Sequence, residues 1–311
     1  MLVATEDLDP TADLVITELN RRRVPVLRVD PGRRGTTTLA ARTTRDGWSG
    51  RLVVGDRSVD LANVRALYHR RPTPYSVSAS EQGERFAAQE HRRGFGGVLG
   101  SLPGCLYVSH PLAIARAEYK TAQLVAAGRF GMPVPPTIIT NDPTEAKAFC
   151  RQHRAIYKPL HAGEYTVDGS PAGIWAASVD PEEITGAVSL SPHLFQGYID
   201  KIADIRATVV GDRVFCVRII APPGVPDWRA AYKSLVYEAV SCSDGIRRAM
   251  LAFLEYFGLV FGAFDFAVTA DDVWWFLECN PNGQWAWLES ATEQPIASAL
   301  ADLLQNGVTR A

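Results

Sequence analysis

Three oxygen-bearing side chains occupy two apolar stretches near the C-terminal end of the chain. Asp265 lies in FGAFDFAV, and Glu278 and Asn280 lie in FLECNPNGQW. On a strand, Glu278 and Asn280 share one face, and an antiparallel partner could bring Asp265 beside them. Asp and Asn also serve in turns, but apolar strands rarely hold carboxylates without a partner. Because Mg²⁺ prefers such oxygen ligands, we expect a magnesium site here.

Two lysines stand where a polyphosphate could be held. Lys120 lies near the start of a helical segment, and Lys158 ends the apolar stretch AIYKP. A triphosphate needs cations of this kind on its oxygens. A single lysine is usually solvated, so the interpretation depends on a metal site nearby.

A hairpin is predicted in the segment DIRATVVGDRVFCVRIIA, with its turn at Gly211-Asp212. Arg206 and Arg218 stand on its two strands, so both could point at one phosphate or carboxylate. The alternative is ordinary cross-strand pairing with Asp204 or Asp212 at the surface. The hairpin by itself does not decide between the two.

Several function classes find no support. The sequence contains no GxxxxGK[ST], no GxGxxG opening a helix after a strand, no GxSxG and no HExxH. Its five cysteines lack a CxxC pair, and its six histidines are scattered. A formal net charge of −2 gives no single-signed field for nucleic acid. With no secretion signal and no apolar stretch of about 18 residues, we expect a cytoplasmic protein that binds no membrane.

The elements that must position these residues follow from periodicity and from turn residues. A strand, a helix and a strand over residues 2–29 predict a βαβ start and a parallel sheet. Short hairpin strands follow over 39–61, and a helix is predicted over 78–102. The rest of the chain predicts a helix over 111–130, a strand over 137–140, a helix over 143–153, a strand over 155–158, a polar mobile loop over 161–173, the hairpin, a helix over 244–257, strands over 260–269 and 273–278, and a final helix over 295–305.

The order of these parts resembles the ATP-grasp superfamily from about Ser109 to the C-terminus. The matching parts are a lysine before GMPVPPT, the lysine in IYKP, a hinge strand FQGYIDK, the hairpin DIRATVVGDRV, the FDF aspartate and a carboxylate-x-Asn on the last strand. The resemblance implies an α/β (α+β) fold in three parts. These are an N-terminal pre-ATP-grasp βαβ domain (1–108), a central subdomain (109–190) and a C-terminal antiparallel-sheet subdomain with the metal site (191–311).

The resemblance also implies roles for individual residues, with ATP and Mg²⁺ as cofactors. Asp265, Glu278 and Asn280 match the magnesium ligands. The nucleotide would be bound by Lys120, Lys158, Lys201 and the hinge Gln196, Gly197, Tyr198 and Ile199. The catalytic set would be Asp204, Arg206, Arg218 and Arg229. The loop HAGEYTVDGSPAG is less glycine-rich than many phosphate lids of the superfamily, which leaves its role open.

One branch is resembled more specifically. NPNGQWAWLE, the RRP stretch and the HRRGF segment are similar to the ATP-grasp ribosomal peptide maturases, the macrocyclases of microviridin-type peptides or graspetides. This resemblance implies that an Asp or Glu side chain of a ribosomally made precursor, with leader and core, is phosphorylated. A Ser/Thr hydroxyl or a Lys amine would then close an ester or amide ring. Trp228, Tyr232 and Tyr237 would anchor the leader peptide, and a homodimer is expected by analogy.

Two other functions fit many of the same residues. A small-substrate ATP-grasp ligase, acting on an amino acid or peptide, would share the metal and phosphate residues. Only NPNGQW and the segments of the first lobe argue against it. An ATP-binding module without turnover, which binds a leader peptide, would not need the full set Asp265, Glu278 and Asn280.

Overall fold

The N-terminal part contains the expected βαβ unit. In the computed structural model, which describes residues 1–75, 81–161, 165–168, 170–222, 228 and 234–307, β1 (Leu2–Thr5) and β2 (Leu27–Val29) pair in parallel across α1 (Pro10–Arg21). The Asp9 carboxylate caps α1 by accepting from the N–H groups of Thr11 and Ala12. β6 (Ala66–Arg71) and β7 (Leu106–Val108) extend the parallel sheet in the order β2-β1-β6-β7.

An antiparallel sheet and one long helix complete this region. The sheet consists of β3 (Thr37–Thr44), β4 (Gly47–Val54) and β5 (Arg57–Asp60). The helix α2 spans Gln82–Leu99 and is shorter than the predicted 78–102. Buried Leu52 of β4 packs with apolar residues of the parallel sheet, so the two sheets share a core.

The helix predicted over 111–130 is in fact two helices. α3 spans Pro111–Ala117 and α4 spans Lys120–Arg129. The break falls at Glu118 and Tyr119, and Tyr119 has extended backbone angles as the residue before α4. Lys120 therefore begins a new helix, which fixes the direction in which its side chain leaves the backbone.

A second antiparallel sheet follows in the order β12-β9-β13-β8. Its strands are β8 (Thr137–Thr140), β9 (Ala155–Lys158), β12 (Ala177–Ser178) and β13 (His193–Gly197), and α5 (Pro143–Gln152) covers one face through Ala146 and Cys150. The segment predicted as a polar loop contains a short hairpin, β10 (Tyr165–Val167) with β11 (Ser170–Ala172).

The large sheet of the C-terminal half is antiparallel, with the order β16-β15-β14-β17-β18. Its strands are β14 (Ala203–Val210), β15 (Arg213–Ile220), β16 (Val236–Val240), β17 (Phe261–Val268) and β18 (Trp274–Asn280). The hairpin of β14 and β15 turns at Gly211, whose positive φ of 60° suits glycine. The expected antiparallel lobe is therefore present.

Helices cover both faces of this sheet. On one face, α3, α4 and α6 (Asp244–Phe257) form a core with Phe264 and Phe266. On the other, α8 (Ile296–Asn306) packs with Phe261 and with α1 of the N-terminal unit, and α7 (Ala286–Thr292) precedes it. In the part of the chain that the structure describes, no helix is both long and apolar enough to cross a membrane.

The predicted boundaries after residues 108 and 190 do not coincide simply with these sheets. β13 follows residue 190 but hydrogen-bonds to β8 and β9, while α3 and α4 precede residue 190 and pack on the large sheet. The division into 1–108, 109–190 and 191–311 stays a prediction.

Candidate active site

A cavity of about 950 Å³ lies where the second sheet faces the large sheet. Its walls come from β9, β13, β14, β17, β18, the start of α4 and the loop that follows β18. Thirteen of the residues predicted from the sequence line it: Lys120, Lys158, Gln196, Gly197, Tyr198, Ile199, Lys201, Asp204, Arg206, Trp228, Asp265, Glu278 and Asn280. The structure thus brings most of the predicted nucleotide, catalytic and metal residues to one place.

Asp265 and Arg206 form a buried ion pair at the floor of the cavity. They stand opposite each other in the register of β14 and β17. The Arg206 Nε and Nη2 donate to the two Asp265 carboxylate oxygens, each at 2.7 Å, and both residues are buried. Arg206 Nη1 also donates to the Gln284 carbonyl at 3.1 Å. This bidentate geometry fixes both side chains.

Glu278 and Asn280 join this pair from β18, as strand alternation predicts. Asp265 faces Glu278 across the sheet at a β-bulge, and Asn280 is two residues farther along the same face. The Asn280 Nδ2 lies 3.4 Å from an oxygen of Asp265 and 3.4 Å from an oxygen of Glu278. The expectation that the three side chains share one face is confirmed.

The donor set fits a magnesium ion. The donor set consists of two carboxylates, Asp265 and Glu278, and the amide of Asn280. Among the residues described, no three His, Cys, Asp or Glu side chains cluster as metal ligands. An amide can rotate to present its oxygen in place of its nitrogen. Mg²⁺ commonly takes one or two protein carboxylates and completes its shell with water and phosphate oxygens. These residues therefore suit magnesium bound together with a polyphosphate.

Two lysines face this group from other elements. Lys120 Nζ, at the first residue of α4, lies 3.2 Å from a Glu278 oxygen and donates to the Pro159 carbonyl at 3.0 Å. Lys158 Nζ, at the end of β9, donates to Gln196 Oε1 at 2.8 Å. Both ammonium groups border the same cavity as the carboxylates, so they could bind phosphate oxygens there.

The predicted hinge lies where β13 leaves its sheet. The Gly197 N–H donates to the Pro136 carbonyl at 2.8 Å, and the Tyr198 N–H donates to the Arg154 carbonyl at 2.7 Å. The Arg154 guanidinium carbon lies 3.9 Å from the centre of the Tyr198 ring. These contacts hold the segment rigidly along the cavity wall. Just beyond it, Lys201 Nζ pairs with both oxygens of Asp204 at 2.6 and 2.7 Å.

Of the two interpretations left open for the hairpin, the one in which Arg206 and Arg218 point at the same group is wrong. In the register of the hairpin, Arg206 faces Val217 and Arg218 faces Ile205. Because successive side chains alternate between faces, this offset of one residue sends the two arginines to opposite faces of the sheet. Arg218 has Glu238 of β16 as its cross-strand neighbour, and it does not line the cavity.

The residues predicted to anchor a leader peptide have different positions. Trp228 is buried, its ring centre is 5.3 Å from that of Trp287, and the Arg206 guanidinium carbon lies 5.9 Å from the Trp228 ring. Tyr237 on β16 also contacts Trp287, and the centres of these two rings are 5.1 Å apart. Trp228 is therefore part of the cavity wall. Arg229 and Tyr232 lie outside the described residues.

Two sequence features that had no assigned role meet beside the cavity. Arg70 of the RRP stretch is fully buried and donates to the carbonyl of Asn282 in the NPNG turn. Thr11 Oγ1 donates to Gln284 Oε1 at 2.5 Å. The N-terminal unit thus holds the loop after the proposed metal ligands. No local pattern in the sequence predicts the contact between Arg70 and Asn282, because these residues are 212 positions apart.

No family model matches the sequence, and no curated protein matches it. Several solved structures, in contrast, are similar to this chain over nearly its whole length. The macrocyclase MdnC from Microcystis aeruginosa MRC, bound with precursor peptide MdnA, is 26% identical, covers 98% of each chain and has a TM-score of 0.86. A RiPP-associated ATP-grasp ligase from Chryseobacterium gregarium, in complex with ADP and a leader and core peptide, is 24% identical, covers 99% of this chain and 97% of that chain, and has a TM-score of 0.89.

A third similar structure is the ATP-grasp ligase PsnB complexed with minimal precursor, Mg and ADP. It is 21% identical, covers 99% of this chain and 96% of that chain, and has a TM-score of 0.78. The similarity extends over the N-terminal unit as well as the two sheets that form the cavity. The chain has the ATP-grasp fold, and its resemblance to ATP-grasp ligases of ribosomal peptides is confirmed in three dimensions.

Proposed function

We propose that this chain is an ATP- and Mg²⁺-dependent ligase that phosphorylates an Asp or Glu side chain of a ribosomally made precursor peptide and closes a ring. The observation that carries the proposal is the group of Asp265, Glu278 and Asn280 beside the Arg206 guanidinium, in one cavity with two lysines. A carboxylate is a poor acyl donor, and phosphorylation activates it.

The nucleotide would lie along one wall of the cavity. The hinge of Gln196 to Ile199 borders the cavity with backbone held by hydrogen bonds to neighbouring segments, which suits the edge of an adenine ring. Lys158 and Lys120 lie between the hinge and the carboxylates, where their charges would bind phosphate oxygens. Asp265, Glu278 and Asn280 would hold Mg²⁺, which supplies charge neutralisation on the transferring phosphoryl group.

The reaction would proceed in two steps. An oxygen of the substrate carboxylate attacks the γ-phosphorus and ADP leaves, which gives an acyl phosphate on the peptide. A Ser/Thr hydroxyl or a Lys amine then attacks the acyl carbon, loses its proton and expels inorganic phosphate. Arg206 stands beside the proposed metal ligands, where its guanidinium would stabilise the negative charge that develops on the reacting oxygens. No protein nucleophile is needed, which agrees with the missing Ser or Cys triad.

A peptide substrate is supported by the similar structures. MdnC is bound with a precursor peptide, and the Chryseobacterium ligase is in complex with a leader and core peptide. The finer assignments rest on the sequence resemblance alone: ester rather than amide rings, leader anchoring by Trp228, Tyr232 and Tyr237, a catalytic role for Arg229, and a cytoplasmic homodimer. They remain predictions.

The proposal is tested by intact mass spectrometry of an acidic, Thr/Ser-containing candidate precursor incubated with the protein, ATP and Mg²⁺. We expect the peptide to lose one water per ring, with one ADP released for each water lost. An unchanged peptide together with ADP release on free amino acids would indicate the small-substrate ligase. No ADP release with any acidic peptide or amino acid would indicate the binding module without turnover. A reaction without ATP is the matched control.

A further inference from the structure

Gln123 of α4 holds the backbone between two of the proposed metal ligands. Its side chain is buried, and its amide makes hydrogen bonds to both backbone groups of Cys279. Oε1 accepts from the Cys279 N–H at 2.8 Å, and Nε2 donates to the Cys279 carbonyl at 2.8 Å. Nε2 also donates to the Ala117 carbonyl at 2.6 Å. Cys279 is the residue between Glu278 and Asn280.

The position of β18 explains why this contact is needed. Among the strands that the structure describes, β18 is the last in the order of the large sheet and pairs only with β17. The Cys279 N–H, which donates to Gln123, and the Cys279 carbonyl, which accepts from it, belong to a buried residue. A buried N–H or carbonyl without a partner is costly. The Gln123 amide therefore replaces a neighbouring strand at one position of the edge.

The same helix contacts the proposed site a second time. Lys120, one turn before Gln123, lies 3.2 Å from the Glu278 carboxylate, and residues three apart share a helix face. The Cys279 side chain points into the apolar core, so its two neighbours point together into the cavity. Any rotation of the Cys279 peptide would move both of these neighbours at once.

We propose that Gln123 is a positioning residue for the Mg²⁺ site, which fixes the Cys279 peptide so that Glu278 and Asn280 face one ion together. The inference rests on the proposed function for what the ion does. It adds a residue of the cavity wall whose amide bonds to the backbone of Cys279 and Ala117 and so determines how two ligands are held. Outer partners that orient metal ligands commonly contribute 10-fold to 100-fold in affinity.

The test is calorimetric titration of ADP into the full chain, with Mg²⁺ and with a chelator. Gln123→Met keeps the length of the side chain but removes all three hydrogen bonds. We expect it to weaken ADP binding about 10-fold or more in Mg²⁺ and to leave binding in chelator unchanged. Gln123→Asn, which keeps the amide but draws it back by one methylene and so weakens these hydrogen bonds, is expected to fall between Gln123→Met and the wild type.

The matched control is Gln294→Met. Gln294 Nε2 donates to the Cys216 carbonyl of β15 at 3.2 Å, so this variant also removes an amide-to-backbone bond from the large sheet, away from the cavity. It is expected to bind ADP as the wild type does in both conditions. Circular dichroism verifies that each variant is folded, and Gln123→Asn decides the question if Gln123→Met does not fold.

Equal ADP affinity of the Gln123 variants and the wild type in Mg²⁺ would overturn the inference. An equal loss in Mg²⁺ and in chelator would also overturn it, because a general loosening of α4 on β18 does not discriminate between the two conditions. A wild-type protein whose ADP affinity is the same with and without Mg²⁺ is a different failure. It would contradict the metal site of the proposed function itself.

Discussion

The two carboxylates of the proposed metal site differ in their surroundings, and this predicts different consequences for their removal. Both oxygens of Asp265 lie 2.7 Å from the Arg206 guanidinium, and the two side chains are only 6% and 7% exposed. Glu278 lies 3.2 Å from Lys120, and those side chains are 17% and 22% exposed. Asp265→Asn and Glu278→Gln each remove one negative charge at nearly constant volume.

The magnitudes follow from burial. Asp265→Asn leaves the Arg206 charge buried without its counter-ion, and breaking a buried pair in this way costs about 3–5 kcal/mol in the free energy of unfolding. Glu278→Gln breaks a more exposed pair, for which about 1 kcal/mol or less is expected. Both variants should lose turnover by about 100-fold or more, because each removes a carboxylate that would hold the Mg²⁺ ion against the transferring phosphoryl group.

The assay combines urea unfolding, followed by circular dichroism, with ADP release in Mg²⁺. Asp302→Asn is the matched control, because Asp302 pairs with Arg22 and Arg213 but is 47% exposed. It should change neither quantity appreciably. Equal destabilisation by Asp265→Asn and Glu278→Gln would refute the role given to burial, and normal turnover in Glu278→Gln would refute the metal assignment.

Three further predictions concern other parts of the chain. Lys158→Met should raise the Kd for ATP about 10-fold or more in calorimetric titration, because it removes a cation from the cavity that could donate charged hydrogen bonds; an unchanged Kd would contradict its phosphate role. A hydrogen bond from the Cys216 thiol lowers the pKa of Cys242 to about 7 in spite of its partial burial, whereas burial raises the pKa of Cys105 to about 11. Alkylation by iodoacetamide, read by peptide mapping, should therefore increase at Cys242 as pH rises through 7 while Cys105 stays unreacted, and equal labelling would contradict this. Burial lowers the pKa of His69 from its usual 6.5 to about 4, so the unfolded chain binds a proton that the folded chain does not. The free energy of unfolding should fall by about 3 kcal/mol as pH drops from 6.5 toward 4. The urea midpoint of His69→Gln should change less with pH over this range than that of the wild type.

Local patterns in the sequence were sufficient to predict that Asp265, Glu278 and Asn280 share one face. Alternation along one strand places Glu278 and Asn280 on a common face, and the apolar flanks of Asp265 indicate a neighbouring buried strand. The structure has this arrangement. The placement of Arg218 beside Arg206 was wrong although the turn was predicted correctly. The two-residue turn at Gly211-Asp212 pairs Val210 with Arg213, and this register already puts Arg206 opposite Val217 and Arg218 on the other face. A one-residue offset reverses the face, and register depends on turn geometry and on what each face buries.

Contacts between distant segments had no local signal. Gln123 and Cys279 are 156 positions apart, and nothing near either residue predicts that an amide completes the edge of β18. Trp228 was expected to anchor a leader peptide, and nothing near it in the sequence predicts a buried position. It is buried against Trp287, which stands 59 positions later in the chain. Periodicity predicted the helices and strands, whereas side-chain packing between distant segments determined the positions of Gln123 and Trp228.

The central claim is that the peptide carboxylate is activated as an acyl phosphate. The most direct measurement uses a precursor peptide whose Asp and Glu side chains carry heavy oxygen, incubated with the protein, ATP and Mg²⁺. For each ring that forms, one heavy oxygen should appear in the released inorganic phosphate, because the oxygen that attacked the γ-phosphorus leaves with it. Ring formation with unlabelled phosphate would contradict the account.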